Sequence, residues 1–175
     1  SIRSLGISID QASQSSPKVI AITSALPGEG KTVLSCCLAH VLAQSGERTA
    51  LIDCDFRRSG ISRLLDVRSD QTGLKEILDG SAKFDFDQMI GDRSFCIVPL
   101  TPGSQDQEQL LTGASFAAFL EQLRSHFDRI VLDLPPILPV AATRTIAGNA
   151  DAVVLAVRWR KTSSFAIRAA RSRMP

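Results

Sequence analysis

KVIAIT (18–23), running through Ser24 into ALPGEGKT (25–32), carries the architecture of this 175-residue chain. Its first half is a short apolar run rich in β-branched residues, the pattern of a strand buried on both faces of a parallel sheet. The second half is a Gly/Pro loop ending in Lys31-Thr32. Beyond it Val33, Leu34, Cys37, Leu38, Val41 and Leu42 recur at helical spacing over 31–45, until Gly46 closes the run. Strand, glycine-rich loop, Lys-Thr and helix in that order are the context of a P-loop. Gly28 and Gly30 let the backbone turn so that its N–H groups face a phosphate chain, and the helix start adds the positive end of its dipole. Pro27, Gly28, Glu29, Gly30, Lys31, Thr32 and Val33 are the nucleotide-binding residues this motif implies. Lys31 reaches the β- and γ-phosphates and Thr32 offers a hydroxyl to Mg²⁺. Ala25 stands where the first glycine of the pattern usually does. A glycine-rich turn without function is the bland alternative, and four consecutive agreeing features argue against it.

Outward from this unit the chain repeats the alternation. RTALID (48–53), FCIVPL (95–100), RIVLD (129–133) and DAVVLAV (151–157) read as further strands, the second of them stopped by Pro99 and Pro102 and the third by Pro135 and Pro136. Helical spacing appears at 61–65, 74–78, 115–127, 143–149 and 163–173. Ile2, Leu5 and Ile9 mark a short first helix, followed by a Gln/Ser-rich linker. Apolar strands alternating with helices predict an α/β fold with a doubly wound, mainly parallel sheet, of the P-loop NTPase class, with its ligand at the carboxyl ends of the strands. Residues 1–17 are expected as helix and linker and 18–175 as the nucleotide-binding domain. A further strand normally follows such a last helix, so the domain is expected to continue past Pro175.

Composition narrows the function. Hydrophobic residues make up 44% and charged residues 22%, a globular balance, and a net charge of +2 is too small to argue for nucleic acid. From 158 to 175 every charge is basic: Arg158, Arg160, Lys161, Arg168, Arg171 and Arg173. A solvated helix face is the preferred explanation, and a surface facing an anionic partner, a membrane or a neighbouring subunit is the sharper one. Cys36, Cys37, Cys54 and Cys96 form no C-x-x-C pair and suit small buried thiols of a reducing compartment. No apolar run is long enough to span a bilayer, so this stretch is expected to be soluble, with any anchor outside it. His40 and His126 lack ligand-spaced partners, and Trp159 is expected to pack rather than to bind adenine.

Two acidic elements complete the chemistry. In LIDCDFR (51–57), Asp53 and Asp55 stand two apart at a strand end on the ligand side of the sheet. A helix cap or turn role is the bland alternative; beside a P-loop, Mg²⁺ ligands or a base explain the pair better. In IVLDLPP (130–136), Asp133 ends an apolar strand in the Walker B manner and is placed to hold Mg²⁺ directly or through water.

The ordered set, 25–32, then Asp53 to Arg57, then Asp133 with Pro135 and Pro136, resembles the bacterial tyrosine kinases of capsular and extracellular polysaccharide synthesis. Flanking text is similar too: Thr72-Gly73-Leu74 with Gly80, Gln109-Leu110-Leu111 before Phe116, and Val157-Arg158-Trp159 with Lys161-Thr162. The resemblance implies a protein tyrosine kinase that uses ATP and Mg²⁺, with Lys31, Asp53 and Asp55 catalytic. It implies Mg²⁺ held by Thr32, Asp133 and Asp53, and Asp55 accepting the proton of a tyrosine hydroxyl, with Asp53 the competing base. It also implies Arg57 steadying an acid or a phosphate and Arg158 approaching the nucleotide. The implied partners are a tyrosine-bearing protein substrate, a membrane-spanning co-polymerase segment, fused or separate, at the cytoplasmic face of the inner membrane, and a homo-oligomer; nucleic acid is not among them. The sequence departs from the family pattern in two respects. It contains no tyrosine, so the family's tyrosine cluster is absent from this stretch. Gly6 stands where the first helix would carry the second arginine of the family's assembly motif after Arg3. A partitioning-type P-loop ATPase is one alternative, disfavoured because Leu26 and Pro27 occupy the place of its signature lysine. A nucleotide-binding export regulator of weak catalysis is the other, disfavoured by the intact Lys31, Asp53, Asp55 and Asp133.

Overall fold

Strands without charge between their ends have no face to give to water, and here they are covered on both. A computed structural model describes residues 2–12, 16–65, 72–86, 95–100 and 106–175. Among these, β1 (Val19–Ser24), β2 (Thr49–Asp53), β3 (Phe95–Val98), β4 (Arg129–Asp133) and β5 (Ala152–Ala156) form one sheet in the order β3-β2-β4-β1-β5. Every neighbouring pair is parallel. The helices are α1 (Ile2–Ala12), α2 (Lys31–Gln44), α3 (Gly60–Leu64), α4 (Leu74–Leu78), α5 (Gln107–Thr112), α6 (Ala114–His126), α7 (Ala142–Ala147) and α8 (Ser164–Arg171).

Side chains alternate across a strand, so each apolar run splits between two cores. Val19, Ala21, Ala50, Ile52, Ile130 and Leu132 pack with Phe116, Leu120 and Leu123 of α6 on one face. Ile20, Ile22, Leu51 and Val131 pack with Leu38 and Leu42 of α2 on the other, where Ile2, Leu5 and Ile9 bring α1 in as an outer layer. Buried Arg129 ties this layer down: it bonds Glu47 at 2.6 Å, the Pro17 carbonyl at 2.7 Å and Asp10 of α1 at 2.9 Å. Asp151 does the same at the other edge, accepting the N–H groups of Lys18 and Val19 while paired with Arg124 of α6. The starts of β1 and β5 are thus set side by side.

The predicted strands and helices lie within two residues of the observed ones, with three differences. β3 stops at Val98, because Pro99 has no N–H to offer the ladder. Residues Gln107–Thr112 form a helix of their own, too short to show a period and set off from α6 by the extended Gly113. Trp159 does not pack: it is 83% exposed, in a turn where Lys161 and Thr162 donate to the Arg158 carbonyl and Arg160 adopts positive φ. The predicted linker residues 13–15, and Pro102, lie outside the described residues. The histidines serve packing and surface: His40 is exposed, and the His126 ring stacks on Phe86 with centroids 3.8 Å apart. All four thiols are free; burial pushes Cys36 up to about 11 and Cys96 to about 12, far from the reactive range. Among the described residues no helix is long and apolar enough to cross a membrane.

Phe116 is fully buried under the sheet. Phe116→Ala is expected to remove about 3–5 kcal/mol of stability, read as a lower urea midpoint with an unchanged slope.

Candidate active site

Leu51 and Val131 point to the α2 face, so two residues on, by the strand period, Asp53 and Asp133 point there as well. The register puts these two acids opposite each other on adjacent strands, at the carboxyl ends where β2 and β4 stop. Helix α2 starts at Lys31 on that same face, one peptide beyond a loop that leaves the end of β1. Gly28 and Gly30 turn the loop with φ of 82° and 87°, values that a side chain would oppose. Sheet order therefore brings the P-loop, the DxD segment and the Walker B acid to one point.

The contacts there are tight. Lys31 Nζ donates to Asp55 Oδ2 at 2.6 Å and to Thr32 Oγ1 at 3.3 Å, and lies 3.7 Å from Asp133 Oδ1. Ser35, one helical turn after Lys31, donates to Asp133 Oδ1 at 3.0 Å. Asp53 accepts two backbone N–H groups, from Asp55 and from Ile61 at the start of α3, each at 3.1 Å. Ser59 adopts positive φ and donates its N–H to the Asp55 carbonyl at 2.7 Å, which folds the chain back so that Ile61 can reach Asp53. Asp55 Oδ1 is held in turn by the Arg57 N–H at 3.2 Å.

Asp53, Asp55 and Asp133 are all buried, and Lys31, itself only 7% exposed, is the cation paired with Asp55 and Asp133. One positive charge against three carboxylates leaves an anionic centre out of water, which resists ionisation. Burial, with the charge of Asp133 adding to it, pushes Asp53 up to about 7. Burial also raises Asp133, against the opposing pull of Lys31. Asp133 Oδ2 is buried with no hydrogen-bond donor among the described residues. Such an oxygen is costly unless a cation or donor meets it. Gly60 sits beside this group, and a Cβ there would come within 2.9 Å of the Thr32 hydroxyl.

An open cavity of about 350 Å³ lies over the cluster, lined by Gly28, Gly30, Lys31, Thr32, Asp55 and Pro136 among others. Pro27 and Val33 line it too, whereas Asp53 and Asp133 lie beneath. Arg57 is exposed with its guanidinium 5.6 Å from the Phe56 ring, away from the cavity wall; Arg58 and Arg63 line the wall instead. Arg158 is exposed in the turn after β5, outside the lining, with its N–H bonded to Thr162. Glu29 lies outside the lining, its carboxylate bonded to Leu26 and Thr162. The sequence reading passed over Ser35, Gly60, Arg58 and Arg63. Ser35 was findable, since i+4 from Lys31 shares its helix face; the other three depend on how 54–63 turns back.

Comparison with known proteins bears on the family and the fold. A family model described as an AAA domain matches residues 17–169. The chain is 36% identical over 158 residues to the succinoglycan biosynthesis transport protein ExoP of Rhizobium meliloti, covering 88% of this chain and 20% of that protein. It is 37% identical over 141 residues to the tyrosine-protein kinase CpsD of Streptococcus pneumoniae serotype 4, covering 79% of this chain and 61% of that one. The solved kinase domain of VpsO superposes with a TM-score of 0.82 at 31% identity, covering 95% of this chain and 80% of that domain. The chain thus spans a fifth of ExoP and about three-fifths of CpsD.

Lys31→Met removes the cation from this centre. Breaking a buried pair from one side is expected to cost about 3 kcal/mol. The loss should shrink as pH falls: Lys31 opposes the upward shift of Asp133, so without it Asp133 rises further and binds its proton more tightly when folded, and the unpaired charge is neutralised at low pH and exposed as pH rises. Urea unfolding of both proteins at pH 5.5 and pH 8 checks it, the larger deficit falling at pH 8.

Proposed function

This chain belongs to the AAA domain family, among the bacterial tyrosine kinases of capsular and extracellular polysaccharide export, and on that footing we propose that it transfers the γ-phosphoryl group of ATP to the hydroxyl of a protein tyrosine. One observation supports this most: Lys31 and Asp55, 2.6 Å apart, share a cavity at the carboxyl ends of the strands, directly beside the P-loop. Lys31 is the charge that meets the β- and γ-phosphates, and the N–H groups of 27–33 cradle the chain. Asp55 is the carboxylate on the cavity wall, and it takes the proton of the incoming tyrosine hydroxyl. A free tyrosine, with pKa near ~10, needs that help to act as a nucleophile. Asp53, with both oxygens engaged by backbone N–H groups, orients the Asp55 segment and the start of α3.

The oxygens present fit Mg²⁺. Asp133 Oδ2 has no donor among the described residues, the Thr32 hydroxyl is half-buried beside it, and Gly60 keeps space open. Among the described residues no three His, Cys, Asp or Glu side chains are grouped to hold a metal unaided. Mg²⁺ at a P-loop takes one or two carboxylates and completes its shell with phosphate and water. Thr32 and Asp133, with Asp53 on the family pattern, are the residues to hold it. The ion supplies neutralisation of charge on the phosphoryl oxygens.

The accepting tyrosine belongs to another polypeptide or to a segment outside this stretch, since the chain has none. The proposed setting is the cytoplasmic face of the inner membrane, beside a membrane-spanning co-polymerase segment, fused or separate, with polysaccharide synthesis and export as the regulated process. Assembly into a homo-oligomer is part of the same proposal.

Incubation of the purified chain with Mg²⁺, γ-labelled ATP and a tyrosine-containing peptide tests the activity. Label on peptide tyrosine is expected, absent with Lys31→Met and about a hundred-fold slower with Asp55→Asn. Phosphate released to water with no peptide labelling would make it an ATPase. Nucleotide bound without turnover would make it a regulator.

A further inference from the structure

The loop that is to cradle phosphates has almost no packing of its own. Leu26, Pro27 and Gly28 are exposed, and a Cβ placed on Gly28 or Gly30 would meet nothing within 4 Å. Two glycines at positive φ flank a single side chain, Glu29. A flexible loop loses affinity by having to be ordered at the moment of binding, so something must hold this one beforehand.

Glu29 is the only side chain between the two glycines, and both of its oxygens are engaged. Oε2 accepts the Leu26 N–H at 2.7 Å, while Ser24 Oγ donates to the Leu26 carbonyl at 2.8 Å, so both backbone polar groups of Leu26 at the loop's entrance are held. Oε1 accepts the hydroxyl of Thr162, which lies 133 residues on in the turn after β5. That hydroxyl oxygen accepts the Arg158 N–H at 2.9 Å, and Ser163 next to it caps α8 through the Ala166 N–H at 3.1 Å. The two segments meet because β1 and β5 are in register, Ser24 opposite Ala156, and leave the sheet side by side. The bonds also hold a carboxylate outside the cavity lining, within which its charge would repel phosphates.

We propose that Thr162 and Glu29 form a latch that holds the phosphate-binding loop in its binding shape, Thr162 acting as a positioning residue through Glu29. Thr162 touches no nucleotide atom in this scheme. It fixes the Glu29 side chain, which fixes the backbone between Gly28 and Gly30 and with it the N–H groups directed at the phosphates. The latch rests on the nucleotide-binding role of the loop, and needs nothing of the kinase reaction.

The test is the affinity for MgADP by titration calorimetry, with melting temperatures in parallel. Thr162→Val, which keeps the shape and removes the hydroxyl, is expected to weaken binding about ten-fold, the size of one charge-assisted hydrogen bond at the low end of its range. Thr162→Ser restores it to within about two-fold. Glu29→Ala produces a similar loss, and the double variant binds no more weakly than Glu29→Ala alone, because each change breaks the same link. A folded Thr162→Val chain that binds MgADP like wild type overturns the latch, as do losses that multiply in the double variant. If wild type itself fails to bind MgADP, the nucleotide-binding role falls and the latch with it, an outcome distinct from the first.

Discussion

Three carboxylates and one ammonium, taken out of water at the end of a sheet, are the constraint around which this molecule is arranged. Lys31 pairs with Asp55 at 2.6 Å and lies 3.7 Å from Asp133, while Asp53 is satisfied by two backbone N–H groups. Buried charge of one sign is tolerated only where hydrogen bonds and a counter-charge meet it. Among the described residues the supply falls one oxygen short, at Asp133 Oδ2. An acceptor left over beside a glycine-rich loop is a place where further positive charge would be favourable.

Everything that positions this centre is backbone order in the sheet. β4 lies between β2 and β1, so the strand that supplies Asp133 runs between the one that supplies Asp53 and the one that feeds the P-loop. Exact opposition of Asp53 and Asp133 is a consequence of parallel register, and their mutual repulsion is one reason that Asp53 sits near 7. Helix α2 then covers both acids with Lys31 at its first position and Ser35 one turn on. The two cores, one under α6 and one under α2, hold these strands flat against their helices and give the acids little freedom to move apart.

The far side of the P-loop has a different character. The turn after β5 carries Arg158, Arg160 and Lys161, leaves Trp159 83% and nearby Phe165 75% exposed, and is bonded through Thr162 to Glu29. Basic and aromatic groups therefore crowd solvent next to the loop, whereas the acids crowd the interior on its other side. The cations that line the cavity itself are Lys31, Arg58 and Arg63, whereas Arg158, Arg160 and Lys161 stand outside its lining.

The sequence alone determined the parallel α/β class, the P-loop and the candidate roles of Lys31, Thr32, Asp53, Asp55 and Asp133, because those rest on local patterns: strand-length apolar runs, a glycine-rich turn before a helix, and acids at strand ends. It also carried the family resemblance in 25–32, 53–57 and 133–136. Only the tertiary structure decided which acid reaches the cavity, since Asp53 and Asp55 look equivalent in one dimension and differ only through the turn at Ser59 that buries one beneath the other. The same turn faces Arg58 and Arg63 to the cavity and leaves Arg57 outside its lining. Trp159 was expected inside and lies outside, because apolar character says nothing about a tight turn that lifts a side chain off the sheet. The Glu29–Thr162 contact spans 133 residues, and no local pattern encodes it. It exists because two strands distant in sequence end side by side, and hydrogen bonds of that kind are set by sheet order rather than by spacing.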